Sequence, residues 1–346
     1  MKIKKIVLDE MYRAYSTGST TIDNKLYLIV ASEAIDGSCY AYSGKDFSEK
    51  KVVWEKAGGT MSIVEIPNSN GEFLAVQEFF PGFNGKTSKV VHVKMVKGEF
   101  VVNDFIELPY LHRFDLIEVN GIIHFIGATL CTSKTDREDW SDPGKIYVGI
   151  LPKDLSKGMD LKVIYENLTH NHGYYQSTYK DQLAGYVTSD EGVFACVAPK
   201  DEKGEWEISH LIDRKVSDVA LVDINNDGKL EILSIEPFHG KDIYIYNEVD
   251  GKYEETFHLD RELEFAHAIA GTTILGQSAF VCGIRRLNKE LFYLTYNKEK
   301  NDYDLTMIDE GCGPANIVIV NQENQDIILA SNNTIHQAAV YIITKD

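Results

Sequence analysis

Asn316–Asp346 reads NIVIVNQENQDIILASNNTIHQAAVYIITKD. Its apolar runs, split by Asn, Gln and Asp turns, supply three short strands. The units before it are one strand longer. They run Gly18–Gly59, Thr60–Tyr110, Leu111–Thr169, His170–Val216, Ser217–Glu264 and Phe265–Ala315, a period of about 45–50 residues, the size of a four-stranded propeller blade. The missing strand stands at the other end of the chain, in Lys2–Tyr15. A blade completed by both termini removes two sheet edges that would otherwise be exposed. The expected fold is therefore all-β, a seven-bladed β-propeller closed by the N-terminal strand, in one domain. The alternating runs Lys25–Ala31, Phe73–Gln77, Ile122–Ile126, Val193–Val197, Ile243–Tyr246, Phe292–Tyr296 and Val340–Thr344 agree, and no long helical pattern competes.

Charge narrows the partners. Lys and Arg total 35 against 53 Asp and Glu, a formal charge of −18. Such a surface repels phosphate backbones and anionic lipid, so neither nucleic acid nor membrane is an expected partner. No apolar run approaches the roughly 18 residues of a membrane span. The basic start, Met1–Lys5, is followed by only three apolar residues before Asp9 and Glu10, which suits a strand better than a signal peptide. Cys39, Cys131, Cys196, Cys282 and Cys312 are scattered and never in C-x-x-C spacing. That fits a reducing, cytoplasmic location rather than a disulfide framework. Cys131 beside a long loop is a candidate nucleophile or an inert buried thiol. Nucleotide-binding, serine-hydrolase and H-E-x-x-H motifs do not occur.

The sharpest local motif is Asp223-Ile-Asn-Asn-Asp-Gly228, between the apolar runs Val219–Val222 and Leu230–Ile235. Oxygen side chains at Asp223, Asn225 and Asp227, with Gly228 for the turn, suit a hard cation such as Ca²⁺. A polar hairpin turn without metal fits the same residues. The segment Ala220–Leu233 resembles the FG-GAP (VCBS) repeat of β-propellers, which implies a structural cation in the loop between the first two strands of a blade. The neighbouring Ile235-Glu-Pro-Phe-His-Gly240 resembles a stretch in repeat propellers of the aldos-2-ulose dehydratase type, which act on sugars.

Propeller geometry brings blade starts and second–third strand loops to one rim. The starts supply His112, Arg113, His170, His172, Asp218, His267 and Asn316. The loops supply Glu78, Phe79, the Cys131–Gly144 insertion with Trp140, then Glu236, His239, Arg285, Arg286 and His336, with His124 nearby. Imidazoles converging with a carboxylate suit Zn²⁺ or another divalent transition metal, so His112, His172, His267 and Glu236 are the expected ligands. Alternatively, each His caps a strand end and bonds a backbone carbonyl. His239, His170 and Tyr174 are candidate bases. Arg113 and Arg285 are candidate anion holders, or members of structural salt bridges. Glu78, Trp140, Asp218, Arg286, Asn316 and His336 are the expected substrate contacts. Tyr174, Tyr175, Phe79, Phe80, Phe238 and Trp140 suit a sugar face, or inter-blade packing.

These residues lead to a metal-dependent carbohydrate-active enzyme of lyase, dehydratase or isomerase type. It would abstract a proton beside a carbonyl or carboxylate and eliminate a neighbouring group from a small or oligosaccharide substrate. Polysaccharide lyases with a similar layout supply a fold analogy only. The alternatives are a non-enzymatic glycan- or protein-binding propeller and a metal-assisted hydrolase of a lactone or phosphoester.

Overall fold

The computed structural model describes residues 1–345. It is a seven-bladed β-propeller built of seven four-stranded antiparallel sheets. Contacts divide the chain into two units, Gly18–Lys215 and Met1–Thr17 together with Val216–Asp346.

The first unit carries four sheets, although the opening residues of its first strand belong to the second. They are β2 (Ala14–Ile22), β3 (Lys25–Ser32), β4 (Cys39–Ser43), β5 (Glu49–Trp54); β6 (Ile63–Glu65), β7 (Phe73–Gln77), β8 (Lys89–Val96), β9 (Glu99–Glu107); β10 (Leu111–Val119), β11 (Ile122–Thr129), β12 (Gly144–Ile150), β13 (Lys162–Leu168); and β14 (Tyr174–Tyr179), β15 (Gln182–Ser189), β16 (Gly192–Val197), β17 (Glu207–Ile212). The first sheet starts at Ala14, four residues before the expected Gly18.

The second unit carries β18 (Asp218–Val222), β19 (Glu231–Glu236), β20 (Asp242–Val249), β21 (Lys252–His258); β22 (Glu264–Ile274), β23 (Gln277–Arg286), β24 (Leu291–Asn297), β25 (Asp302–Asp309); and β26 (Asn316–Asn321), β27 (Gln325–Asn332), β28 (Gln337–Thr344) with β1 (Lys2–Glu10). β1 pairs antiparallel with β28, from Lys2↔Thr344 to Glu10↔Gln337. The terminal sheet thus takes one strand from the N-terminus and three from the C-terminus. Lys2, Lys4 and Lys5 lie on this edge strand, where ammonium groups discourage further pairing.

The hairpins explain why the strands are short and regular. Asn120-Gly121, Lys180-Asp181 and Leu275-Gly276 are two-residue turns with both φ positive, between the pairs Val119↔Ile122, Tyr179↔Gln182 and Ile274↔Gln277. That backbone matches the right-handed twist of the flanking strands. The second strands are buried on both faces; β11 and β15 each end in six buried residues. Their side chains fill the layers between neighbouring sheets, as where Ile126 and Ala128 share a core with Val187, Phe194 and Cys196. Gly185 leaves the room that the Tyr174 ring occupies, because a Cβ there would stand 2.6 Å from the ring.

Candidate metal centre

The site begins with two bulged strands. In β10 the pairing register slips between Leu111 and Arg113, and in β22 it slips between Ala266 and Ala268. His112 and His267 are the extra residues in these bulges. A bulge re-aims its side chain, so both rings leave the ordinary alternation of the sheet.

Both imidazoles then meet a backbone carbonyl of the next blade. His112 Nδ1 lies 3.1 Å from the His172 carbonyl oxygen, and His267 Nδ1 lies 2.6 Å from that of Ala315. A carbonyl only accepts, so each Nδ1 donates and each Nε2 keeps its lone pair in the neutral ring. The two readings of these histidines are therefore compatible: the carbonyl contact fixes the tautomer that a metal ligand needs.

His172, His239 and His267 each offer one ring nitrogen, and the three nitrogens lie within 4.8 Å of one another. This is the one group of three or more metal-capable side chains among the described residues. It could hold a metal ion. His172 and His267 are buried.

Two of the three rings, His239 and His267, are held from behind. His239 stacks on Phe238 and Phe265, with centroids 4.0 and 4.4 Å away, and its own backbone N–H donates to the Ser217 hydroxyl. His267 lies 5.4 Å from His239 in a stacked orientation. The Tyr15 hydroxyl reaches His267 Nε2 at 3.2 Å. Arg285 and Arg286 lie over Phe265, 4.7 and 4.6 Å from its centroid, which brings positive charge one ring away from the imidazoles. Arg285 donates to the Asn333 side-chain oxygen.

The expected ligand set changes in two places. His112 is replaced by His239; its ring instead packs 4.3 Å from His172 and edge-on to Phe79. Glu236 does not join the group. It is 4% exposed, and its Oε1 accepts hydrogen bonds from the Ser234 and Tyr246 hydroxyls inside its own sheet.

Other expected residues have structural partners. Tyr174 is no surface base: its hydroxyl is enclosed beside Asp115 without a well-aligned hydrogen bond, and burial raises the phenol far above its ordinary range. The same burial pushes the Asp115 carboxyl up to about 7. His170 approaches Asp190 at 3.1 Å and packs on Trp140. Trp140 also meets Phe83 and the Lys134 ammonium. Asp139 accepts from Thr135 and Ser141 within the Cys131–Gly144 insertion, so the loop is internally braced.

Arg113 donates to the Met61 carbonyl, and Glu78 pairs with Lys89. Asp218 accepts from Ser217, while Asn316 donates to the Tyr15 carbonyl. Arg286 pairs with Glu264, and His336 Nδ1 accepts from the Arg13 backbone N–H. His124 stands at the opposite end of its sheet from His112, near the Asn120-Gly121 turn. All five cysteines are free and buried, and burial pushes the Cys131 thiol up to about 12, which disfavours a thiolate nucleophile.

The Asp223–Gly228 turn forms as expected, with Gly228 at φ 90°. Its oxygens are engaged locally. Asp223 accepts from the N–H groups of Asp227 and Gly228, Asn225 from Asp227, and Asp227 from Lys229. Behind it, buried Glu231 accepts from Ile224 N–H and Asn225 Nδ2. Burial, then Asp227 and Asp223, push the Glu231 carboxyl up to about 7.

Tyr15, Asp115 and Glu231 were not legible as site residues in the sequence. Glu231 alone had a usable signal, an acidic side chain at the ninth position counted from Asp223. Comparison with known protein families and with curated proteins finds no match to this chain.

Proposed function

We propose that the chain is a metal-dependent enzyme acting on a carbohydrate by proton abstraction and elimination. The observation that carries this reading is the convergence of ring nitrogens from His172, His239 and His267. Three neutral imidazoles with a further coordination position are a donor set for Zn²⁺ or a related divalent metal. Such an ion supplies Lewis acidity, polarising a carbonyl or carboxylate oxygen and acidifying the adjacent C–H.

The chain's own residues supply the rest. Ala315 and its carbonyl hold His267 in the metal-binding tautomer. Tyr15, 3.2 Å from His267 Nε2, is the hydroxyl placed to hold or move a proton. It takes over the role expected of Tyr174, since His239 is a ligand and His170 is paired with Asp190. Arg285 favours the anion that forms when the proton leaves carbon. The neighbouring C–O bond then breaks, its electron pair leaves with the oxygen, and that oxygen takes a proton while a C=C bond forms.

A hard cation at the Asp223–Gly228 turn is a separate proposal. Asp223, Asn225 and Asp227 would hold it, with Glu231 behind, and its support is the gathering of these oxygen side chains in one turn around Gly228.

Elemental analysis of chelator-free protein tests the main reading, together with His172→Ala, His239→Ala and His267→Ala. About one equivalent of Zn, Mn, Fe or Ni, lost in all three variants, is the expected result. The loaded protein is then incubated with keto-sugars and uronate-containing oligosaccharides, and the conjugated elimination product is followed by ultraviolet absorbance. Transition metal that is absent, or that survives all three substitutions, removes the metal centre. A loaded centre that turns over lactones or phosphoesters but no sugar favours the hydrolase.

A further inference from the structure

We propose that Arg285 and Arg286 form a carboxylate-holding pair beside the imidazole group, so that the substrate of the metal centre is a short uronate, a mono- or disaccharide. This inference rests on the metal-centre reading and narrows its substrate class. The residues that build the pair, Glu264, Phe265, Arg285, Arg286 and Asn333, all lie in the unit that carries His239 and His267.

The convergence of the two guanidiniums is the informative feature. Consecutive strand residues ordinarily point to opposite faces. Arg285 and Arg286, at the end of β23, nevertheless both lie over Phe265, 4.7 and 4.6 Å from its centroid. Phe265 has φ 61°, the left-handed region that a bulky side chain seldom adopts, and its ring stacks 4.4 Å from His239. Two like charges gathered on one ring repel, and an anion placed between them removes that cost. Each guanidinium carbon is within 4.7 Å of a centroid that is itself 4.4 Å from that of His239, so guanidinium and imidazole are at most about 9 Å apart. One small sugar can therefore touch both the arginine pair and the ligand group.

The two arginines are held differently. Arg285 donates to the side-chain oxygen of buried Asn333, whose Nδ2 donates to the Ala14 carbonyl, and the Thr334 hydroxyl donates to the Arg285 carbonyl. These bonds pin Arg285 at the rim. Arg286 instead meets its cross-strand partner Glu264 at 3.2 Å, with side chains 58% and 57% exposed. An exposed ion pair of this kind is worth little, so a ligand carboxylate that binds both guanidiniums can displace Glu264. Glu264 is then an internal competitor that occupies Arg286 until substrate arrives. An acid group also suits elimination, because it acidifies the adjacent C–H. The anion that Arg285 favours is this same carboxylate after the proton leaves carbon. The formal charge of −18 opposes long polyanions, which limits the ligand to a short one.

The test is calorimetric titration of the full-length protein, with metal content measured on the same samples. The probes are D-glucuronate, D-galacturonate and digalacturonate, each compared with its methyl ester, which keeps the hydroxyls and loses the charge. The expected result is saturable binding of at least one uronate, about tenfold or more tighter than its ester. Arg286→Gln should weaken uronate binding about tenfold or more and leave the ester unchanged. Glu264→Gln should tighten uronate binding about two- to fivefold, the worth of the exposed pair it removes. Both side chains are exposed, so neither change endangers the fold. A merely structural ion pair would move both variants in the same direction. Absence of uronate binding overturns the proposal, as does an ester that binds as tightly as its acid, an unchanged affinity in Arg286→Gln, or weaker binding in Glu264→Gln. Metal bound without any preference for acid over ester strikes the arginine pair and leaves the metal centre standing. A uronate preference in protein that takes up no transition metal strikes the centre, and with it the assignment of the uronate as substrate.

Discussion

The Asp223–Gly228 turn gathers its oxygen donors from six consecutive residues, whereas His172, His239 and His267 come from three distant segments. Proximity along the chain has a consequence. The carboxylates of the turn lie within reach of its own backbone, and the N–H groups of Asp227, Gly228 and Lys229 take up their oxygens. The imidazoles have no such local claimant. His267 spends Nδ1 on a carbonyl 48 residues away, and its Nε2 accepts from the Tyr15 hydroxyl, a bond that a metal ion on the ring would displace. A conspicuous motif can thus be occupied by its own backbone, while residues without any motif form a donor set whose partners lie far away in the sequence.

Substitutions should separate the two places sharply. His267→Ala is expected to lower bound transition metal from about one equivalent to less than about a tenth, and to lower turnover at least about a hundredfold, measured by elemental analysis and steady-state kinetics. Asp223→Ala should leave both readings unchanged. A parallel loss in Asp223→Ala would mean that the turn supports the imidazole group and that the contrast is false.

Tyr15→Phe probes the support of the imidazole group. Groups that contact a metal-ligating histidine are typically worth about 10–100-fold in affinity or activity. We expect metal affinity to change by less than about tenfold and turnover to fall by more, because the hydroxyl is assigned to the proton. Equal losses in both would make Tyr15 a positioning residue only.

Acid should act oppositely on the two places. Metal binding requires neutral imidazoles, so metal retention should fall on acidification. At the turn, the folded protein holds the Glu231 proton up to about 7, against an ordinary value of 4.5. The folded state binds more protons in that window, so this group's contribution to stability declines as pH rises from about 4.5 to 7. Glu231→Gln should flatten that segment of the stability curve, as read by denaturant melts. A decline of equal slope in the variant would place its origin elsewhere.

The smallest expected effect is that of calcium. A cation that binds only the folded turn stabilises by mass action, a shift of a few degrees at saturating concentration. Asp227→Ala should abolish that shift in thermal melts. An unchanged melting temperature in wild-type protein with and without calcium would leave the turn a hydrogen-bonded hairpin.

Much of the architecture is legible in the amino-acid sequence. The short alternating runs, the unit length, and the three-strand stretch Asn316–Asp346 matched by Lys2–Tyr15 specify the sheets and the pairing of β1 with β28. Turn residues such as Asn120-Gly121 mark hairpins because positive φ is a local backbone property. The repeat also brought His112, His172, His239 and His267 to one rim as candidates. Which of them converge was settled only by tertiary structure. Side chains on a strand change face with a slip of one residue, and His112 and His267 each sit in such a slip. Glu236 turned inward because hydroxyls of Ser234 and Tyr246 awaited it there, and Tyr15 reached His267 across 252 positions of sequence. Period and turn chemistry are written in neighbouring residues; the direction of a side chain at a bulge depends on what the rest of the fold places opposite it.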